Sequence, residues 1–218
     1  MRAGKPREMA RAPQLPKALV LVGLMGAGKS CIGRRLSEEL NLPFTDADTE
    51  IEAAAGCSVQ EIFERHGEKA FRDGERRVIE RLLTGQVQVL ATGGGAFMDP
   101  RTRETIRRNA TSLWLRADLD LLVKRTSRRT HRPLLSKGKP RQILSDLIDL
   151  RYPVYSEADI VIDSVDGPVD ATVRRALDAI SAYLAAQPDA GHPERGQHES
   201  GTGATKPQAA RKAEAKEL

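Results

Sequence analysis

Residues 23–30 of the chain are Gly-Leu-Met-Gly-Ala-Gly-Lys-Ser and satisfy the pattern G-x-x-x-x-G-K-[ST]. An apolar run at residues 18–22, predicted to be a strand, precedes the pattern, and a helical periodicity follows it. In that context the glycines let backbone N–H groups close around phosphate oxygens, and the N-terminus of the next helix faces the same anion. The stretch is therefore predicted to be a phosphate-binding loop for a nucleoside triphosphate. Lys29 is expected at the β- and γ-phosphates, and Ser30 is expected to bind Mg²⁺.

Four further short apolar runs alternate with helical patterns after this loop. They predict strands at residues 42–45, 87–91, 111–115 and 159–163. Helix starts are predicted at Ser58, which opens a capping box, at Asp99, which precedes a proline, and at Asp118. In the helix that begins at Ser58, Phe63 is expected to point inward. Strands that alternate with helices need crossover connections, so the prediction is a three-layer α/β/α fold around a five-stranded parallel sheet.

The two ends of the chain differ in composition from its middle. Residues 1–16 form a basic arm that is predicted to be flexible, and residues 187–218 are rich in Pro, Gly, Ser, Gln and Lys. Such a tail cannot bury enough apolar surface to offset its ordering entropy, so it is predicted to be disordered. The predicted domain spans residues 17–186.

The formal net charge of +5 raises the question of a nucleic-acid partner. Much of the basic excess lies in the N-terminal arm, and such arms are commonly solvated extensions, so we expect no nucleic-acid partner. No apolar run approaches the roughly 18 residues of a membrane span, and the two cysteines suggest no disulfide framework. We therefore expect a cytoplasmic protein without a membrane partner.

Polar and glycine-rich segments follow two of the predicted strands. Asp46 and Asp48 come after the second strand, and the Thr-Gly-Gly-Gly segment at residues 92–95 follows the third. The carboxyl ends of parallel strands lie at one edge of a sheet, where ligands bind, so both segments are expected beside the phosphate loop. Because side chains alternate along a strand, Asp46 and Asp48 are expected to point the same way. One aspartate can then serve Mg²⁺ while the other orients a hydroxyl and accepts its proton. Alternatively, one of them only caps the next helix.

Six segments together resemble the motifs of the shikimate kinase family, in the family's order. They are the phosphate loop and residues 45–52, 68–75, 92–96, 132–135 and 151–155. The resemblance covers residues 17–184 and implies ATP-dependent phosphorylation of the 3-hydroxyl of shikimate, with Mg²⁺, in the pathway to chorismate and the aromatic amino acids. It also implies a P-loop kinase fold with a mobile lid at about residues 127–139, and we expect a monomer.

The resemblance assigns a role to each site residue by its position in these motifs. The expected ATP-binding residues are Gly26, Ala27, Gly28, Lys29, Ser30, Cys31, Arg125 and Arg132. Ser30 is expected to bind Mg²⁺, supported by Asp46 through water. The expected shikimate-binding residues are Asp48, Arg72, Gly94 and Arg151, with the two arginines at the carboxylate. Lys29, Asp48 and Arg132 are the expected catalytic residues, and Asp48 is the candidate base.

Two positions depart from the family pattern. Cys31 stands where the family usually has Thr or Ser, and residues 164–168 are acidic or small where the family often has Arg or Gln near adenine. The adenine contacts are therefore left open. Two other functions are alternatives: a kinase for another small hydroxy acid such as gluconate, and a nucleotide-binding regulatory domain without catalysis. The presence of Lys29, Asp48 and Arg132 argues against the second alternative.

Overall fold

The computed structural model describes residues 13–127 and 139–187. Its strands are β1 (Ala18–Val22), β2 (Phe44–Asp46), β3 (Val89–Ala91), β4 (Ala110–Arg116) and β5 (Ile160–Asp163). Its helices are α1 (Lys29–Leu40), α2 (Ala47–Ala55), α3 (Val59–Leu83), α4 (Pro100–Asn109), α5 (Leu119–Thr126), α6 (Pro140–Tyr155) and α7 (Val169–Ala186), and a short 3₁₀ helix spans Ala96–Met98. All strand pairs are parallel and the strand order is β2-β3-β1-β4-β5, so the predicted fold class is confirmed.

The first strand lies at the centre of the sheet. All five residues of β1 are apolar and buried, as expected for a strand covered on both faces. Leu21 pairs with Ala91 of β3 on one side and with Leu113 of β4 on the other. Because β1 has a neighbour on each side, its carboxyl end delivers the phosphate loop to the middle of the ligand-binding edge.

The helices bury the apolar positions whose spacing predicted them. In α1 these are Ile32, Leu36 and Leu40, and the helix packs against α7 and β3. On the rest of the sheet α4 packs against β4 and α3, while α5 packs against α6. Among the described residues, none of the helices is long and apolar enough to cross a lipid bilayer.

The capping box at Ser58 is present, but α3 is not continuous. The Ser58 hydroxyl accepts from the Glu61 N–H, and the Glu61 carboxylate accepts from the Ser58 N–H. Gly67 interrupts the helix with φ 77° and ψ 174°. Phe63, which precedes this break, was expected to point inward; that expectation is wrong, because its ring packs on Phe71 at the surface and is 36% exposed.

The second and third strands begin two residues later than predicted. Pro43 has no N–H to donate to the sheet, although its carbonyl accepts from Val89 at 2.9 Å. The described residues up to Ala186 belong to one compact unit. The predicted flexible arm and disordered tail fall almost entirely outside the described residues, so the proposed domain limits stay predictions.

Candidate active site

The phosphate loop joins β1 to α1 at the carboxyl edge of the sheet. Gly26 (φ 86°) and Gly28 (φ 101°) adopt backbone conformations that side chains of L-residues rarely allow, so the loop favours glycine at both positions. The N-terminus of α1, with its positive dipole end, follows directly. Lys29 Nζ donates to the carbonyls of Gly23 at 2.8 Å and Leu24 at 3.1 Å, so the ammonium group lies against the loop.

Ser30, in the first turn of α1, contacts Asp46 at the end of β2. Ser30 Oγ donates to Asp46 Oδ2 at 2.7 Å. The other oxygen, Oδ1, accepts from the backbone N–H of Asp48 at 3.1 Å and caps α2. Helix capping and contact with the phosphate loop, considered as alternatives from the sequence, therefore occur together in Asp46.

Asp48 lies in the first turn of α2 rather than at the end of a strand. The expectation that strand alternation turns Asp46 and Asp48 in the same direction is wrong, because a helix begins at Ala47. The Asp48 side chain still lies beside the triple glycine. Its Oδ1 is 2.9 Å from the point that a β-carbon on Gly93 would occupy.

The surroundings of Asp48 raise the pKa of its carboxyl above the usual value. Desolvation is the main cause and the negative charge of Asp46 adds to it, whereas Lys29 and Arg72 partly oppose the shift. Asp48 is nonetheless an exposed residue by its solvent-accessible surface, so its carboxylate can be reached from solvent. A carboxylate of this kind, between a phosphate-loop lysine and a second cation, is suited to accept a proton.

Arg72 is held by a buried carboxylate of its own helix. Its Nη1 donates to Glu75 Oε2 at 2.6 Å, and the Glu75 side chain is only 2% exposed. Burial raises the pKa of Glu75, and the positive charge of Arg72 opposes that rise. The guanidinium packs directly on the triple glycine, because a β-carbon on Gly95 would come within 2.3 Å of Arg72 Nη2.

Gly93 lies between two carboxylates. The Oε1 atom of Glu75 is buried without a hydrogen-bond partner among the described residues. It lies 2.9 Å from the point that a β-carbon on Gly93 would occupy, which is the same separation as that of Asp48 Oδ1. A side chain at position 93 would therefore displace both carboxylates.

Arg151 approaches the triple glycine from α6. Its Nη1 donates to the Gly94 carbonyl at 2.9 Å, and the hydroxyl of Tyr155 donates to the same oxygen. Arg151 Nε is buried and has no hydrogen-bond partner within the described part of the chain. With Arg72 against Gly95 and Arg151 against Gly94, the structure brings the two predicted carboxylate-binding arginines to adjacent glycines.

Arg125, at the C-terminal end of α5, joins the phosphate loop to the segment after β5. It donates to four acceptors: the carbonyls of Gly26 (3.4 Å), Ala27 (3.3 Å) and Val165 (2.8 Å), and the hydroxyl of Ser164 (2.9 Å). Asp166, within the segment 164–168 that departs from the family pattern, forms an ion pair with Lys124. The negative charge of Asp166 is thus neutralised by the neighbouring Lys124.

The structure does not test the roles of two predicted ATP-binding residues, Cys31 and Arg132. Cys31 follows Ser30 in the first turn of α1, and its free thiol belongs to an exposed residue. Arg132 and nearly all of the predicted lid at residues 127–139 lie outside the described residues. Their roles stay predictions.

The family model for shikimate kinase matches residues 25–181. The chain belongs to the shikimate kinase family. A curated shikimate kinase of Paramagnetospirillum magneticum is 56% identical over 189 residues, covering 84% of this chain and 97% of that protein. Membership of the family makes the protein an ATP-using kinase, as the six motifs indicated.

Solved structures agree with the family assignment. A shikimate kinase from Acinetobacter baumannii in complex with shikimate superimposes with a TM-score of 0.73 at 38% identity, covering 76% of this chain and 93% of that one. A gluconokinase from Sinorhizobium meliloti gives a TM-score of 0.56 at 18% identity over 80% of this chain and all of that one. At such low identity the second likeness concerns the fold alone.

As in other ATP-using kinases, Mg²⁺ is the expected metal, and this edge of the sheet offers it few protein ligands. No group of three or more His, Cys, Asp or Glu side chains within residues 13–127 and 139–187 could hold a metal ion. Ser30 Oγ and Asp46 Oδ2, 2.7 Å apart, are the hard oxygen donors that Mg²⁺ prefers. Because Mg²⁺ commonly keeps several waters and binds substrate phosphates, this pair fits an ion that arrives with the nucleotide.

Glu75 and Tyr155 belong to the site of this shikimate kinase family member but were not predicted as site residues. Both lie in segments that the sequence analysis singled out. Helical spacing could have identified them, because Glu75 is three residues after Arg72 and Tyr155 is four residues after Arg151. Such spacing places each residue on the same helix face as its arginine.

A surface cavity of about 340 Å³ lies away from this site, near the amino ends of β4 and β5. Its charged and polar groups are paired with one another, as in the contacts of Arg103 with Glu157 at 3.1 Å and of Ser112 with Asp159 at 2.6 Å. None of the predicted site residues lines it. The cavity therefore has no part in the candidate site.

Proposed function

We propose that the protein transfers the γ-phosphoryl group of ATP to the 3-hydroxyl of shikimate, which yields shikimate 3-phosphate and ADP. Membership of the shikimate kinase family supports this reaction. The observation that carries the proposal is the position of Asp48, whose carboxylate interacts with Lys29 of the phosphate loop and with Arg72 beside the triple glycine. We therefore propose that Asp48 serves both the donor site and the acceptor site.

On the donor side, we assign the ATP phosphates to the backbone of residues 26–31 and to Lys29. Phosphoryl transfer depends mainly on positioning and charge neutralisation, which the loop N–H groups, the helix dipole and the lysine supply. Arg125 is proposed to lie along the nucleotide, because it bridges the phosphate loop and the segment after β5. Arg132 of the lid is proposed to stabilise the transferring phosphate.

Ser30 and Asp46 are proposed to hold Mg²⁺, Ser30 directly and Asp46 through water. Their 2.7 Å contact supports this assignment, since both oxygens are within reach of one small ion. When bound, Mg²⁺ neutralises charge on the β- and γ-phosphates. Asp46 has the additional task of capping α2, and that contact fixes the first turn of the helix that carries Asp48.

On the acceptor side, Arg72 and Arg151 are proposed to bind the shikimate carboxylate beside the backbone of Gly94. Arg151 uses Nη1 for the Gly94 carbonyl, and its buried Nε–H has no partner among the described residues. This unpartnered donor supports the assignment, because a guanidinium binds a carboxylate through two parallel hydrogen bonds. Two arginines suit a small acid whose ring offers little apolar area.

Asp48 is proposed to orient the 3-hydroxyl and accept its proton. The hydroxyl oxygen forms a bond to the γ-phosphorus, the bond from that phosphorus to the ADP oxygen breaks, and the hydroxyl proton passes to the Asp48 carboxylate. The raised pKa of Asp48 makes it a better proton acceptor than an ordinary aspartate. We further propose that the enzyme acts as a monomer in the cytoplasm, with ATP and shikimate as its small-molecule partners.

The test is a coupled ADP-release assay of the purified full-length protein with ATP and Mg²⁺. Shikimate, gluconate and a nucleoside monophosphate are offered separately as acceptors, and NMR locates the phosphate on the product. We expect turnover of shikimate alone, with phosphate on the 3-oxygen, and a Lys29→Met variant serves as the inactive control. Turnover of gluconate in preference to shikimate, or of none of the acceptors, would exclude the proposed function.

A further inference from the structure

The carbonyl of Gly94 accepts two hydrogen bonds from the same face of α6. Arg151 Nη1 donates at 2.9 Å, and the hydroxyl of Tyr155 donates to the same oxygen. A carbonyl oxygen has two lone pairs, so the two donors occupy both. Because the peptide unit is planar and trans, fixing the Gly94 oxygen toward α6 also fixes the Gly95 N–H in the opposite direction.

Tyr155 is rigid enough to hold this carbonyl in place. Its side chain is fully buried, and its ring packs against Trp114 and Phe97 with centroid separations of 5.9 and 6.3 Å. Burial raises the pKa of the Tyr155 phenol, so the hydroxyl keeps its proton and remains a donor. Arg151 also interacts with the Tyr155 oxygen, which closes a triangle of Gly94, Arg151 and Tyr155.

We propose that Tyr155 is a positioning residue for the acceptor site, whose hydroxyl orients the Gly94 peptide and the Arg151 guanidinium for the substrate carboxylate. The inference deepens the proposed function and rests on it, because it takes Gly94 and Arg151 to be the groups that meet that carboxylate. Because Arg151 and Tyr155 donate to the same carbonyl oxygen, a rotation of Nη1 away from Gly94 would also separate Arg151 from Tyr155. The guanidinium group is thereby kept in one orientation.

A purely structural role is the competing explanation, because a buried tyrosine normally finds a hydrogen-bond acceptor. The chain provides a matched control for that explanation. Tyr152 lies on the same helix, packs edge-on against the same Trp114 at 4.9 Å, and its hydroxyl donates to the carbonyl of Ala117 instead. Replacing either tyrosine by phenylalanine removes one hydroxyl and leaves the ring, but only Tyr155 contacts the triple glycine.

The experiment compares Tyr155→Phe and Tyr152→Phe in the full-length protein by steady-state kinetics and thermal unfolding. For Tyr155→Phe we expect the KM for shikimate to rise about tenfold, the loss of one hydrogen bond of ordinary strength, with the KM for ATP unchanged. For Tyr152→Phe we expect a similar change in Tm and no change in the KM for shikimate. Equal effects of the two variants on that KM, or none from Tyr155→Phe, would overturn the inference.

A double-mutant cycle tests whether Tyr155 acts through Arg151. Arg151→Lys keeps the positive charge but removes the guanidinium edge. In the Arg151→Lys background, Tyr155→Phe should lower kcat/KM for shikimate by a further factor of less than about two, because both changes remove the same arrangement. Full additivity would contradict the proposed coupling.

Failure of this inference and failure of the proposed function give different results. If the unmodified protein does not phosphorylate shikimate, the function itself is wrong. If the unmodified protein does so and Tyr155→Phe has an unchanged KM for shikimate, only the role of Tyr155 is wrong.

Discussion

Ser30 Oγ lies 2.7 Å from Asp46 Oδ2, so the phosphate loop and the end of β2 are in direct hydrogen-bonded contact. The other oxygen of the same carboxylate caps α2 through the N–H of Asp48. One side chain thus connects the proposed metal position to the backbone of the proposed base. The proposed metal-binding role of Asp46 can be tested apart from its capping role, because asparagine is also a good helix cap.

We expect Asp46→Asn to raise the Mg²⁺ concentration for half-maximal activity by about 10- to 100-fold, the usual loss when a supporting group around a metal is changed. The cap is kept, so the Tm should change little. The measurement is an Mg²⁺ titration of ADP release. Asp118→Asn, which alters the N-cap of α5 in the same way, is the matched control and should leave the Mg²⁺ requirement unchanged. An unaltered requirement in Asp46→Asn would remove Asp46 from the metal site.

Replacement of the proposed base should separate catalysis from nucleotide binding. We expect Asp48→Asn to lower kcat by at least about a hundredfold, since a general base commonly contributes that much or more. The Kd for ATP, measured by calorimetry, should stay close to that of the unmodified protein. A large loss of ATP affinity would place Asp48 on the donor side instead.

The raised pKa of Asp48 predicts the direction of two pH effects. The folded protein disfavours the charged form of the Asp48 carboxyl. Ionisation of Asp48 therefore lowers the free energy of unfolding at any pH above the raised pKa, and this loss disappears as the pH falls through that pKa. Asp48→Asn should therefore raise the Tm at neutral pH, and the gain should shrink on acidification. Thermal unfolding at a series of pH values checks this, and a gain that grows toward acid pH would contradict it.

The decrease of kcat/KM at acid pH should follow the protonation of the Asp48 carboxyl group. We expect activity to fall on acidification at a pH above the ordinary range of an aspartate. The charge of Glu52 also raises the pKa of Asp48, so Glu52→Gln should move this decrease to lower pH. Glu52 Oε1 accepts from the Val59 N–H at 2.9 Å, and glutamine keeps that acceptor. A shift to higher pH, or none, would show that another group controls the decrease.

Removal of one proposed carboxylate ligand should weaken acceptor binding selectively. We expect Arg151→Ala to raise the KM for shikimate by about tenfold or more, with the KM for ATP little changed. Arg141→Ala is the control on the same helix, because Arg141 is exposed and pairs with Asp120. Equal kinetic effects of the two changes would mean that Arg151 acts only through the stability of α6.

Cys31 offers a chemical test of the donor site. The residue is exposed and follows the phosphate-loop serine, so we expect a thiol reagent to inactivate the enzyme and ATP to slow that inactivation. Cys31→Ser should be resistant, whereas Cys57→Ser should remain sensitive. Protection by ATP is measured from the rate of activity loss. Equal sensitivity of both variants would place the reaction away from the loop.

The sequence was sufficient for features that depend on local pattern. Strand β1 occupies the predicted residues because an unbroken apolar run can only be buried on both faces in a parallel sheet. The capping box at Ser58 and the proline after Asp99 marked helix starts correctly, since both act within one helical turn. The phosphate loop was predictable for the same reason, because its pattern lies within a short run of consecutive residues.

Features that depend on distant partners were not predictable in the same way. Gly94 and Arg151 are 57 positions apart in the sequence, and no local pattern predicts their contact; the hydroxyl of Tyr155 makes a similarly distant contact. The direction of Asp48 was mispredicted because the change from strand to helix at Ala47 depends on the side chain of Asp46 folding back as a cap. The break in α3 at Gly67, which has φ 77°, was not predicted from the sequence.

Each glycine of the segment 93–95 is required by a different neighbour. Asp48 and Glu75 crowd Gly93, the Arg151 guanidinium lies 3.3 Å from a β-carbon position on Gly94, and Arg72 nearly overlaps that position on Gly95. No single compensating change can make room at all three. An inhibitor that takes its affinity from this stretch of main chain would therefore leave few routes to resistance, because each escape substitution would also displace a side chain that is proposed to serve the acceptor site or, in the case of Glu75, holds Arg72.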